Sequence, residues 1–217
     1  MHDRSILITG CSSGIGRCAA LGLRDRGYRV FATARRHEDL QELEHEGLEA
    51  VHLHLDDPAS VADAATKVLE ASGGHVYGLF NNGGYGQPGA VEDITWAVLE
   101  EQLRTNLRGW HELTRRLIPG MRARGEGRII QNSSVLGLVA MPYRGAYNCS
   151  KFALEGLSDT LRLELRGSGI WVSLIEPGPI SSRFRENSHA RFKQNIDAEN
   201  SVHRASYQAM EARLARE

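Results

Sequence analysis

Ser5-Ile6-Leu7-Ile8-Thr9-Gly10-Cys11-Ser12-Ser13-Gly14-Ile15-Gly16 decides the fold. The unbroken apolar run Ile6-Leu7-Ile8 reads as a strand buried on both faces of a parallel sheet. It leads straight into a glycine-rich turn, and a helical pattern opens at Ile15. Glycine in such a turn permits a sharp bend, close approach of backbone to a phosphate, and close packing of helix on strand. The helix N-terminus adds free amides and the positive end of a dipole, which suits a pyrophosphate. The spacing is Gly-x3-Gly-x-Gly, not G-x-G-x-x-G, so the alternative is a purely structural turn. Its place between first strand and first helix favours nucleotide binding.

The same alternation continues outward. Short apolar runs predict strands at Ser5–Thr9, Arg29–Thr33, Ala50–Leu55, Val76–Phe80, Arg128–Asn132 and Ile170–Ile175. Helical patterns fall between them at Ile15–Arg26, Pro58–Ser72, Trp96–Met121 and Ala146–Arg166. Strand–helix alternation implies right-handed crossovers and an α/β fold, a doubly wound parallel sheet with helices on both faces. No internal repeat, low-complexity segment or linker interrupts it, so residues 1–217 read as one domain, with 183–217 as a lid or tail. From His189 onward the chain is polar and weakly helical, and nothing after Ser201 reads as a buried strand. The second strand ends at Thr33-Ala34-Arg35-Arg36. An acid at this distance from the glycine loop would hold a ribose 2′-hydroxyl. Two arginines stand there instead, which suits a 2′-phosphate by charge and bidentate geometry. The alternative is a solvated turn opening the next helix.

Tyr147 and Lys151, four residues apart, project from one face of the helix that contains them. An ammonium beside a phenol favours phenolate, so the tyrosine pKa is expected to fall and the residue to serve as a general acid/base. The alternative is two unrelated residues on a solvated helix. Lysine is scarce here: the chain has 23 arginines and three lysines, Lys67, Lys151 and Lys193. In the long helix, Leu99, Leu103, Asn106, Trp110, Leu113 and Leu117 form a core-facing stripe that Asn106 interrupts. A buried amide demands hydrogen-bond partners; a local carbonyl would supply one.

Composition excludes other classes. Hydrophobic residues make up 41% and charged residues 24%, with a net charge of −1 and no basic tract, which argues against nucleic acid. No apolar run reaches signal-peptide or membrane-spanning length. Cys11, Cys18 and Cys149 lack metal or redox spacing and read as free thiols of a reducing cytoplasm.

Together these residues closely resemble the short-chain dehydrogenase/reductase family, classical type. Thr9–Gly16 resembles the family's TGxxxGxG loop, and Asn81-Asn82-Gly83-Gly84 its NNAG motif, with glycine replacing alanine. Asn106, Ser134, Tyr147 and Lys151 match the catalytic tetrad, with the usual thirteen-residue step from serine to tyrosine. Pro177-Gly178 matches the motif after strand six, and Asp56 the acid that contacts adenine. The match runs to about Phe184. Ser150-Lys151-Phe152-Ala153-Leu154-Glu155-Gly156 is similar to retinol and hydroxysteroid dehydrogenases, and the whole is most like bacterial NADP-dependent aldehyde reductases.

The resemblance implies a Rossmann fold and hydride transfer between NADP(H), possibly NAD(H), and a carbonyl compound or alcohol. Tyr147 would move the proton, Ser134 would bind the substrate oxygen, and Lys151 would lower the tyrosine pKa and hold the nicotinamide ribose. Asn106 would hold a water in a relay to Lys151. Cofactor contacts are implied at Gly10, Ser12, Ser13, Gly14, Ile15, Gly16, Arg35, Arg36, Asp56, Asn82, Tyr147, Lys151, Pro177, Gly178, Ile180 and Ser182. Ser182 stands where the family often has threonine. Substrate contacts fall at Ser134, Tyr85, Leu136, Met141 and Tyr143, with Phe184 nearby; these apolar positions favour a hydrophobic carbonyl compound, or are ordinary packing. The family usually continues into a seventh strand and a last helix; the strand is not expected in this sequence, which either ends early or is a truncated form of a longer chain. Family members pair through their two long helices, so a cytoplasmic homodimer or homotetramer is expected. The rival readings are an NAD-dependent alcohol, steroid or retinol dehydrogenase and a non-catalytic NADP(H) sensor.

Overall fold

The structure, a computed structural model, describes residues 4–214. Six strands form one sheet: β1 (Ser5–Ile8), β2 (Arg29–Ala34), β3 (Glu49–His52), β4 (Gly78–Asn81), β5 (Gly127–Asn132) and β6 (Ile170–Ile175). Their order is β3-β2-β1-β4-β5-β6, and every neighbouring pair is parallel. The order reverses between β1 and β4, so the crevice at the carboxyl ends of these strands is where such a sheet binds ligands.

Helices α1 (Gly14–Asp25) and α2 (His37–His45) cover one face. Their Ala20 and Leu43 join Ile6, Ile8, Val30 and Ala32 in one apolar core. The other face is covered by α3 (Pro58–Ala71), α5 (Gly109–Arg124) and α6 (Gly145–Glu164), which bury Val61, Val68, Trp110, Leu113, Leu117 and Leu154 against Leu7, Leu79 and Ile129. Local chemistry starts and stops these helices. Asp57 caps α3 by accepting from the Ala59 amide at 2.9 Å, with Pro58 in the first turn. Gly125, in the left-handed region at φ 66, ends α5.

All six expected strands are present, with ends shifted by up to three residues. The long helix expected over 96–121 is broken into α4 (Trp96–Leu103), a π turn (Arg104–Arg108) and α5. The π turn inserts a residue and rotates the buried face, so Gln102, not Leu103, is fully buried before Asn106. The expected α6 stripe also divides: Leu154 and Leu165 are buried, but Leu157 is exposed. Helix α2, expected only as a helix of unstated length after Arg36, runs His37–His45.

Among the described residues no seventh strand follows, and β6 is an edge. Ile170 and Val172 face the core under α3, α5 and α6, whereas Trp171 and Ile175 point to the opposite side of the sheet and are exposed, Trp171 at 66%. Instead the tail forms α7 (Phe184–Asn195) and α8 (Arg204–Leu214), which bury Phe192, Ile196 and Tyr207 against Ala90. The Tyr207 hydroxyl donates to Asp93 and accepts from the Ala90 amide at 2.8 Å. Ser201 donates to the same carboxylate at 2.6 Å.

Candidate active site

The glycine turn needs its glycines. Gly10 has φ 71, and a Cβ there would lie 2.5 Å from Gly83 Cα. On Gly16 it would lie 2.3 Å from the Gly10 carbonyl. Thr9 and Asn82 lock the turn to β4. Thr9 Oγ1 accepts from the Asn82 and Gly83 amides, both at 2.8 Å. Asn82 Nδ2 donates to the Thr9 and Gly10 carbonyls at 2.9 and 3.2 Å. Asn82 thus acts on the loop itself. Ser13 precedes α1 with no side-chain cap, which leaves amides of the first turn open to an anion.

A cleft of about 450 Å³ opens beside this turn, lined by Ser12, Ser13, Gly14, Arg17, Arg36, Asp39, Glu42 and Arg183. Arg183 reaches from the tail to donate to the Ser12 carbonyl at 2.9 Å. Arg36 bonds Asp39 through Nε at 2.8 Å and Nη2 at 2.6 Å, which holds the Asp39 carboxyl below its usual range. Arg35 is exposed beside it. Asp56 lies beyond the end of β3, in contact with His54 Nδ1. Pro177, Gly178 and Ile180 follow β6, and the Pro177 carbonyl accepts from Val135 at 3.2 Å. Ser182 lies against Gly14, whose Cβ would be 3.2 Å from it. Open amides, glycines that admit no side chain and neighbouring arginines fit a dinucleotide phosphate. Arg17, Asp39 and Arg183 were not anticipated; only Asp39, three residues after Arg36 in a helix, left a signal in the sequence.

Ser134, Tyr147 and Lys151 come together beyond the end of β5. Ser134 opens a short 3₁₀ turn and accepts from the Leu136 amide at 3.1 Å, and its hydroxyl acts on Tyr147 to favour the ionised phenol. Lys151, 4% exposed, donates from Nζ to the Asn132 carbonyl at 2.6 Å. The expected lowering of the tyrosine pKa is corrected. Burial pushes Tyr147 up, only partly offset by Ser134, while burial brings Lys151 down to about 7. Both project from one face, but Nζ lies 5.6 Å from the tyrosine ring centroid and is turned toward β5, so desolvation outweighs the cation.

Asn106 lies in the π turn, fully buried. Its Nδ2 donates to the Tyr85 carbonyl at 2.8 Å and to Ser150 Oγ at 3.4 Å, and its Oδ1 accepts from the Tyr85 amide at 3.2 Å. The expected relay asparagine therefore clamps the loop after β4. Gln102 and Gln87, both buried and both missed, extend the clamp: Gln102 Oε1 accepts from the Gln87 amide at 2.7 Å, and Asn195 of α7 donates to Gln87 Oε1 at 2.8 Å.

The substrate positions divide. Tyr85 is half-buried, its hydroxyl buried without a partner and pushed up to about 12 by burial. The Phe184 ring of α7 meets the Tyr147 ring in a T-shaped contact, centroids 5.7 Å apart. Leu136 is half-buried, and Met141, with Leu138 and Val139, forms an exposed apolar lip. Tyr143 faces elsewhere: at φ 61 its ring makes T-shaped contacts with His203 and Tyr207, centroids 5.5 and 5.7 Å apart. It serves the tail, because the left-handed backbone turns the side chain toward α8.

A doubly wound parallel sheet whose switch point opens beside a proton-holding tyrosine is that of a nucleotide-dependent oxidoreductase. Comparison with known proteins agrees. Residues 4–192 match the model of the short chain dehydrogenase family. The chain is 50% identical over 185 residues to the uncharacterized oxidoreductase YbbO of Escherichia coli strain K12, covering 85% of this chain and 69% of that one. It is 35% identical over 187 residues to human retinol dehydrogenase 8, covering 83% of this chain and 60% of that one. Among solved structures, a metagenomic short-chain oxidoreductase in complex with NADP superposes with TM-score 0.77 at 34% identity, over 83% of this chain and 84% of that one. A short-chain dehydrogenase from Streptomyces avermitilis gives TM-score 0.79 at 38% identity, over 82% and 67%. The chain belongs to the short-chain dehydrogenase family and is an oxidoreductase. Among the described residues no helix is long and apolar enough to cross a membrane.

Proposed function

We propose that this protein is an NADP(H)-dependent carbonyl reductase acting on a hydrophobic aldehyde or ketone. The observation that carries the reading is the buried Tyr147, one helical turn from the buried Lys151 and acted on by Ser134, in a fold whose glycine turn opens on a cleft edged by arginines. A nicotinamide bound in the crevice would supply the hydride. Tyr147, whose raised pKa keeps its proton at neutral pH, is suited to donate that proton to a carbonyl oxygen. Ser134 is placed to hydrogen-bond the same oxygen as charge develops on it. Arg35 and Arg36 would hold a 2′-phosphate, and Ser12 to Gly16 a pyrophosphate. Asp56, Pro177, Gly178, Ile180 and Ser182 would flank the rest of the nucleotide. Leu136, Met141, Tyr85 and Phe184 suit an apolar substrate, and the segment 183–217 acts as its lid. The protein works in the cytoplasm as a dimer or higher homo-oligomer.

A second reading, an NAD-dependent dehydrogenase of alcohols, steroids or retinoids, draws on the pairing of Arg36 with Asp39, which takes up part of the cation, and on the relative named retinol dehydrogenase. A panel of aliphatic and aromatic aldehydes, retinal and a ketosteroid, each with NADPH and NADH, separates the two. Faster NADPH oxidation with aldehydes supports the first reading. A preference for NADH, or turnover only of retinoids or steroids, supports the second. Binding without turnover of any compound would leave a nucleotide sensor.

A further inference from the structure

The geometry points to Trp110 as a positioning residue for Lys151: its indole face, the ring centroid 4.5 Å from Nζ, offsets part of the cost of charge on the buried lysine and aims it at the end of β5. The proposal deepens the reading of Lys151 as part of the active site. An ammonium has three donors, and among the described residues this one has a single hydrogen-bond acceptor, the Asn132 carbonyl at 2.6 Å. A charge so buried needs compensation. The charge acting on it is Glu155 on its own helix, and the neighbouring titratable group is Tyr147. From α5 comes Trp110, and from β5 the Asn132 carbonyl. A tryptophan face is the strongest aromatic partner for a cation, more so when water is excluded.

The ring is fixed where the lysine needs it. Trp110 is fully buried, and its Nε1 donates to the Gly83 carbonyl at 2.7 Å. Gly109, whose Cβ would fall 2.2 Å from the Leu55 carbonyl, lets α5 approach the sheet closely enough. One turn earlier, Asn106 is clamped to Tyr85. Gly83 follows Asn82, which is itself bonded to the glycine turn. The indole therefore links the nucleotide loop to the lysine, although as part of an apolar stripe it passes for ordinary core.

Composition makes the test clean. The chain has three lysines and three tryptophans, Trp96 and Trp171 being 71% and 66% exposed. In a Trp96→Phe/Trp171→Phe background, the full chain is labelled with [ε-13C]lysine, and the signal lost in Lys151→Met is assigned to Lys151. Its titration is then followed with tryptophan, with 5,7-difluorotryptophan, which preserves shape but weakens the ring quadrupole, and in Trp110→Leu. The Lys151 midpoint is expected to fall by about half a unit with the fluorinated ring and about one unit with leucine, a three- to tenfold loss of proton affinity, with Lys67 and Lys193 unmoved. Trp110→Phe is expected to restore most of the midpoint. A midpoint that moves by less than about 0.2 unit on fluorination overturns the proposal, whether or not the leucine variant folds. The readout needs no turnover, so absence of reductase activity would sink the functional reading and leave this one standing.

Discussion

Lys151→Met offers a sharp check on how this site is built. The folded chain holds the lysine at a pKa of about 7, against an ordinary value of 10.5. A base whose folded pKa is lowered binds fewer protons folded than unfolded between those two values. Folding stability therefore rises with pH across that window, by at most about 1.4 kcal/mol per unit. Below pH 7 both states are protonated, and the folded state bears the full cost of the buried ammonium. Methionine carries no such cost. Urea denaturation of both proteins at pH 7, 8 and 9 measures the effect, because other titrations are common to both and cancel. The advantage of the methionine variant should shrink by about 2–3 kcal/mol from pH 7 to pH 9. Cys11 and Tyr147, acids whose folded pKa is raised, act in the opposite sense only above their ordinary values, which is why the series stops at 9. A difference that stays constant across these pH values would refute the claim that Lys151 is buried at the expense of its charge.

Tyr147→Phe removes the proton donor and leaves the nucleotide cleft intact; turnover in a reductase assay should fall by about 10²- to 10⁴-fold with cofactor affinity nearly unchanged. Retention of more than about a tenth of the rate would exclude Tyr147 as the acid. Arg35→Ala and Arg36→Ala should each weaken NADPH by about tenfold in calorimetric titration and spare NADH. Arg36→Ala also frees Asp39 to accept from a ribose hydroxyl, so it should shift preference toward NADH further than Arg35→Ala does; equal losses for both cofactors would make the arginines structural. On α6, Phe152 and Leu163 are 46% and 60% exposed along one face. If that face joins two copies, light scattering should find a dimer that Phe152→Asp converts to monomer, and a monomeric parent protein would contradict the pairing.

The sequence by itself was enough to place six parallel strands, the first glycine turn and the pair of Tyr147 and Lys151, while Ser134 came only from the family resemblance. Each of the first three rests on a local cause: an apolar run that must be buried, a backbone only glycine tolerates, a helical repeat that brings residues four apart to one face. Tertiary structure decided what depends on surroundings. The π turn at Arg104–Arg108 moved Gln102 into the core, because burial there follows contacts with the loop after β4 rather than an even helical repeat. Tyr143 turned to the tail, and Phe184 came to rest against Tyr147, through contacts more than thirty residues apart in the chain. The tyrosine pKa moved opposite to the expectation from spacing, since desolvation is a property of the packed interior. For the same reason Trp110, a core residue by pattern, became the neighbour of the buried lysine only when α5 met α6 across the end of the sheet.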